Sequence, residues 1–193
     1  MITVSEARAR MLATVKPLPQ ECVSLDQAVG RVLARPVTAL GTQPPFAVSA
    51  MDGYAIRSAD APGTLVLSGE SAAGAGFDGV CEPGCAIRIS TGAAMPRSAD
   101  TVVIQEDVRR DGLSIMVPPA SLGRNIRSAG GDFRAGDTLL NASRRLDGVS
   151  VSLAAAAGRA QLDVVRRPQI AILSSGDELA APGTVPGPWQ IFE

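Results

Sequence analysis

The 193-residue chain contains no histidine. That excludes the commonest general base and the commonest zinc or iron ligand, so any metal held here is expected to be a hard, oxygen-liking ion such as Mg²⁺. Lysine is nearly missing: Lys16 is the only one among 18 basic residues, the rest being arginine. One reading is base-composition bias in the source genome. The other is that planar guanidinium forks hold anions. Aromatic residues make up 3%, so a core must be built from Val, Leu, Ile and Ala. There are three cysteines, an odd count without a secretory start, which points to reduced thiols and a cytoplasmic location. Cys81 and Cys85 lie four apart but have no further sulfur or imidazole nearby to complete a metal site. No apolar run is long enough to span a bilayer, and the first residues do not form a signal peptide. A net charge of -1 argues against general binding to nucleic acid or a membrane surface.

Glycine and proline, by contrast, are plentiful at 20 and 14, and hydrophobic residues reach 46%. The chain can bury a core, and its many turns favour short strands over a helix bundle. A capping box of Thr3 and Glu6 opens a helix with Val4, Ala7, Met11 and Val15 on one face. A second box, Ser24 with Gln27, predicts a shorter helix carrying Leu25, Ala28, Val29 and Val32. From Pro44 to about Leu140 the helical period disappears. Strand-like runs take its place at 64–68, 86–89, 101–105 and 113–117, with Asp111-Gly112 as the hairpin signal between the last two. Helix returns near Asp147, with Val149, Leu153 and Ala157 on one face and Gly158 as a C-terminal cap. Gln161 to Val165 reads as a strand, and Gln169 to Leu173 as a buried strand of the parallel type. The fold class is therefore α+β and multidomain. A discontinuous, partly helical domain (1–43 and 141–167) carries an inserted all-β, barrel-like domain (44–140), and an α/β domain begins at 168–193.

Four polar strings carry the candidate chemistry. In SAMDGYA, Asp52 is either a carboxylate held out to a ligand or Mg²⁺, or the Asp of an ordinary Asp-Gly turn bonding its own backbone. Gly53 supplies backbone freedom, and Tyr54 packs a ring while offering a hydroxyl. In STGAAMP, Ser90, Thr91 and Gly92 follow a strand; their hydroxyls and N–H groups line an anion-binding concavity or simply end the strand. GRNIRSAGGDFRAGD contains Arg127 and Asp132 among four glycines. It is either a loop that grips an oxyanion or a barrel loop with surface Arg–Asp pairs. In SSGDEL, Ser175, Asp177 and Glu178 sit at a strand exit, the usual ligand edge of an α/β sheet, or at a helix start where acidic residues suit the dipole.

In this order the strings PPF…SAMDGYA, STGAAMP…ADTVVIQED, GRNIRSAGGDF and RRPQIAILSSGDEL resemble the MoeA family, the molybdopterin molybdenumtransferases, which include the E domain of gephyrin. The resemblance runs from Val4 to about Ile191. It implies an elongated homodimer whose third domain has the MogA-like, molybdopterin-binding α/β fold. It implies insertion of molybdenum from molybdate into adenylated molybdopterin with Mg²⁺. A MogA-like adenylyltransferase and molybdoenzyme-maturation proteins are the implied partners. By motif, the catalytic positions fall on Asp52, Thr91 and Glu178, with Asp52 and Glu178 as metal ligands. Ser90, Gly92, Arg127, Asp132, Ser175 and Asp177 fall at cofactor-binding positions. Where the family usually has Asp-Asn before SAMDGYA, this chain has Ala47 and Val48. The resemblance also implies that 168–193 is the start of a longer α/β domain, and that this piece alone is inactive. A different class, a non-catalytic dimerisation or docking module of the same pathway, is the alternative.

Overall fold

The computed structural model describes residues 2–192. Helix α1 (Val4–Ala13) is opened by Thr3, whose Oγ1 accepts a hydrogen bond from the Glu6 N–H at 3.2 Å. Glu6 does not reach back to complete the box; it pairs with Arg10 at 2.7 Å. No α1 residue is buried, so the apolar face formed by Val4, Met11 and the following Val15 covers nothing among the described residues. Strand β1 (Gln20–Ser24) runs into α2 (Leu25–Ala28), a single turn for which Ser24 provides no side-chain cap. The helix predicted to continue through Val29 and Val32 stops at Ala28. Tertiary partners claim the backbone there: Gly30 N–H donates to the Leu146 carbonyl, and Val32 bridges Arg145.

Next come β2 (Val37–Thr38), β3 (Val48–Ser49), β4 (Gly53–Ile56), β5 (Gly63–Ser71), β6 (Cys85–Ile89) and β7 (Thr101–Ile104). They are followed by β8 (Arg109–Asp111), β9 (Ser114–Val117), β10 (Ile126–Arg127) and β11 (Thr138–Leu140). Six of these form one mixed sheet in the order β7-β4-β6-β5-β9-β8, antiparallel except for β5 beside β6. The sheet cannot be flat. Its edge strands would then stand about 24 Å apart at ~4.8 Å per strand. Yet only residues 105–108 join the end of β7 to the start of β8, a reach of at most about 18 Å. The sheet curls to bring its edges together, enclosing Tyr54, Ile56, Leu65, Ala86, Val103, Ile115 and Val117 on its inner face. Ala55, Ile87, Ile89 and Val102 face outward into a second cluster with Cys81 and Ala93.

All four predicted strand runs occur. The Asp111-Gly112 turn, with Gly112 at φ +59°, does make a hairpin, but it joins β8 to β9. The run at 101–105 lies at the opposite edge of the sheet. Strand β8 was not foreseen because its three residues, Arg-Arg-Asp, are charged and exposed, a composition that suits an edge.

Helix α3 (Gly148–Ala156) begins at Asp147, whose carboxylate accepts from Ser150 N–H at 2.7 Å. It ends at Gly158, φ +84°, where Gly158 and Arg159 N–H groups donate to the carbonyls of Ala155 and Ala154. The buried side is Ser150, Ala154 and Ala157, whereas Val149 points to solvent. Ala157 and the half-buried Leu153 face the core as predicted, joined by Ser150 and Ala154; of the predicted face only Val149 is left outside. Strand β12 (Gln161–Val165) pairs antiparallel with β1, and β11 with β2. A third cluster joins residues 23–39 to residues 133–164, including Leu33, Leu140, Leu146, Leu162 and Val164.

Beyond β12 the expected buried strand at 169–173 is not formed, and Ile170, Ile172 and Leu173 are exposed. A parallel strand needs flanking ladders and covered faces, and the other described residues offer neither to this stretch. Among the described residues of this stretch the only strand pairing is between β13 (Leu179–Ala180) and β14 (Ile191–Phe192).

Candidate functional site

Asp52 stands in the tight connection between β3 and β4. The local turn is made by Ser49, which is buried: its Oγ donates to the Met51 carbonyl at 2.6 Å and accepts from the Met51 N–H at 3.3 Å. Gly53 is needed for closeness. It has no left-handed φ, but an added Cβ would overlap the carbonyl oxygen of Val103 on β7. The Asp52 carbonyl accepts from Gln105 N–H at 3.2 Å. The Asp52 carboxylate does not bond its own turn. Its Oδ1 accepts from the Thr91 N–H at 2.6 Å and from the Thr91 hydroxyl at 2.9 Å, a partner 39 residues away.

These bonds favour the charged form further. The Thr91 N–H, then the Thr91 hydroxyl, hold the Asp52 carboxyl below the ordinary 3.8; a smaller desolvation effect opposes them and the Arg88 charge assists. At neutral pH this group is an anion and a weak base. It suits holding a cation or orienting a ligand better than taking up a proton.

Strand β3 is the seam that gathers three of the four strings. On one side it pairs with β10, Ser49 opposite Ile126 and Val48 opposite Arg127. On the other it meets the loop after β6: Gly92 N–H donates to the Ser49 carbonyl, Ser49 N–H to Ala93, and Met95 N–H to Ala47. Gly92 takes φ +79°, which turns the chain at Ser90-Thr91 so that Thr91 faces Asp52. Ala50 N–H donates to the carbonyl of Asn125, itself at φ +57° with Nδ2 donating to Val102. Arg127 pairs with Asp132 at 2.6 Å, both side chains about half exposed.

Ser175, Asp177 and Glu178 are not part of this assembly. They lie in an exposed stretch before β13, where the Glu178 carbonyl accepts from Ile191 N–H and the Asp177 carbonyl accepts from Gln190 Nε2. No hydrogen bond or ion pair among the described residues joins them to Asp52 or Thr91. Among those residues, too, no group of three or more Asp, Glu, Cys or His converges as a metal cage. The cysteines are free; burial pushes the Cys81 thiol up to about 11, so it is no nucleophile.

Sequence reasoning missed Arg88, Tyr54 and Gln105 as a unit. Arg88 lies opposite Tyr54 in the β4–β6 register, with its guanidinium 5.5 Å from the ring centre. Its Nη2 donates to Gln105 Oε1 at 2.8 Å. The available signal was parity. In Ala86-Ile87-Arg88-Ile89 the arginine falls on the face of Ala86, a charge on the inner side of a strand.

Residues 2–158 match the family model described as the MoeA N-terminal region, domains I and II. Among curated proteins, a molybdopterin molybdenumtransferase of Haemophilus influenzae is 35% identical over 198 residues, covering 100% of this chain and 49% of that protein. One from a Nostoc species is 38% identical over 182 residues, covering 90% and 42%. A solved structure of the molybdopterin biosynthesis MoeA protein from Pyrococcus horikoshii superimposes with TM-score 0.89 at 32% identity. It covers 95% of this chain and 51% of that one. The chain thus spans about half the length of the curated relatives it matches.

Proposed function

The chain belongs to the MoeA family, and on that premise we propose that it is the N-terminal part of a molybdopterin molybdenumtransferase acting in molybdenum cofactor biosynthesis. The substrates would be molybdate and adenylated molybdopterin. The observation that carries this reading is the grip of Thr91 on the Asp52 carboxylate, at a point where three of the four family strings are hydrogen-bonded around β3. Such a loop cluster holds one anionic group in a fixed place while its other oxygen, Oδ2, accepts no hydrogen bond among the described residues.

A lone carboxylate oxygen beside open solvent fits Mg²⁺, which keeps several waters and is held through one or two carboxylates plus substrate phosphates. Asp52 would hold it; Glu178 is the second candidate, supported by motif position alone. When bound, Mg²⁺ would supply Lewis-acid polarisation of the substrate phosphate. Thr91 orients Asp52 and favours its charged form; Ser90 and Gly92 shape the turn that presents Thr91; Arg127, paired with Asp132 on the adjoining loop, is a cofactor-binding candidate by motif position.

The domain division 1–43 with 141–167, 44–140 and 168–193 belongs to the same proposal. Its support is the cluster that joins residues 23–39 to residues 146–164 and the separate clusters of the curled sheet; Phe133 and Leu140, at the end of the 44–140 segment, pack with the first cluster. A homodimer is supported by α1, which shows Val4, Met11 and Leu12 to solvent; sedimentation of this chain as a monomer would count against it. No helix among the described residues is long and apolar enough to cross a membrane.

The test is molybdenum insertion by the complete protein. Asp52→Ala is expected to lower turnover by at least about a hundredfold, and the 193-residue chain alone to form no product. Undiminished turnover in Asp52→Ala would reduce Asp52 to a loop clamp.

A further inference from the structure

The inner face of the curled sheet is apolar along most of its length, but at one end two arginines replace the hydrocarbon. Arg88 pairs in register with Tyr54, and Arg110 with Ile115. Directly opposed residues in an antiparallel ladder share a face. Tyr54 and Ile115 are core residues of the enclosed cluster, so both arginines are on the inner side. They meet at an open cleft of about 560 Å³, walled by Leu67 and Leu113 and edged by Ser68 and Glu70. This is a mouth of the curled sheet, a place where barrels commonly take ligands. It lies at the same end as the proposed catalytic loop. Strand β4 starts, and β6 and β7 finish, beside Asp52, Thr91 and Gln105.

The arginines are held without being neutralised. The guanidinium of Arg88 lies over the Tyr54 ring, 5.5 Å from its centre, and is tied by one Nη2 bond to Gln105, whose own N–H donates to the Asp52 carbonyl. Arg110 spends its Nε on the Gly112 carbonyl. Neither forms an ion pair among the described residues, although Glu70 stands across from Arg88 in register. Two preorganised cations against one exposed carboxylate leave a net positive cleft with two apolar walls.

We propose that this mouth is a subsite for a phosphate group carried on an organic body, the phosphate held by Arg88 and Arg110 and the body resting on Leu67 and Leu113. The proposal rests on the functional reading of Asp52 given above and adds where an anionic part of the substrate docks. Planar forks with free N–H groups suit a tetrahedral dianion, and the apolar walls favour a phosphate ester over a bare oxometallate.

Calorimetric titration of the 193-residue chain with phenyl phosphate, inorganic phosphate and molybdate tests it. Phenyl phosphate is expected to bind saturably and most tightly. Arg88→Met should weaken it at least about tenfold and Arg110→Ala by several-fold. Glu70→Gln should tighten it, which a merely structural arginine pair would not produce. If Arg88→Met fails to fold, Arg110→Ala and Glu70→Gln, both at exposed positions, decide. No saturable binding, parental affinity in the arginine variants, or tightest binding of molybdate overturns the proposal. The two readings fail separately. Lost insertion in Asp52→Ala without phosphate binding removes only the subsite. Phosphate binding with full Asp52→Ala turnover removes only the catalytic role.

Discussion

Two short apolar runs in this protein, TVVI at 101–104 and QIAIL at 169–173, meet opposite fates. Val102 and Val103 are fully buried, while Ile170 and Ile172 are 81% and 89% exposed. Composition does not separate them. The first finds β4 alongside, with Tyr54 opposite Val103 and Ala55 opposite Val102. The second finds no strand among the described residues. The acidic residues of the two regions divide in the same way: Asp52 finds Thr91 across 39 residues, and Glu178 finds no side-chain partner among the described residues. A sequence states what a segment requires. Whether the requirement is met depends on which other segments the topology delivers.

The comparison is sharpest at Gly53. An added Cβ would strike the backbone of Val103, which cannot step aside without breaking the β4–β7 ladder. Gly53→Ala is expected to destabilise the chain by about 3 kcal/mol or more. Ile172→Ser is expected to change stability by less than about 0.5 kcal/mol, because its side chain covers nothing. Urea unfolding of both variants checks the contrast, and equal losses would break it.

At the small end stands the loop carrying Arg127 and Asp132. Their pair is short at 2.6 Å, but both side chains are about half in solvent. A double-substitution cycle in urea should assign the pair no more than about 1 kcal/mol, shrinking with salt. A larger coupling would mean that this loop is held by its charges and not by its backbone bonds to Gln43 and Pro44.

Local patterns were legible where the deciding interaction was itself local. Thr3 and Asp147 cap their helices, Gly158 ends α3, and Gly112 makes a hairpin, each from side chains or conformations within a few residues. The predicted strands of the curled sheet were visible as short apolar, β-branched runs between turn signals; β9 alternates in burial, whereas Val102 and Val103 of β7 are both buried. What failed depended on distant partners. The helix through Val29 and Val32 yields to bonds from residues 145–146, and Val149 is left outside the packed face of α3. At the site, Asp52 and Thr91 were identifiable as separate candidates. Their contact was not, since nothing near either residue encodes a bond spanning 39 positions. Arg88 was missed for a related reason: its meaning comes from Tyr54 opposite it on another strand.

The central claim is that Thr91 holds the Asp52 carboxylate in its charged form. An NMR titration of the Asp52 side-chain carbon, in the parent chain and in Thr91→Val, measures this directly. A lowered folded-state pKa means that the contact contributes stability above the ordinary value of 3.8 and loses it as pH falls through the lowered one. The parent should therefore titrate below 3.8. In Thr91→Val the pKa should return part of the way, since the Thr91 backbone N–H remains. An Asp52 that titrates at its ordinary value, or is unmoved by the loss of the hydroxyl, contradicts the account.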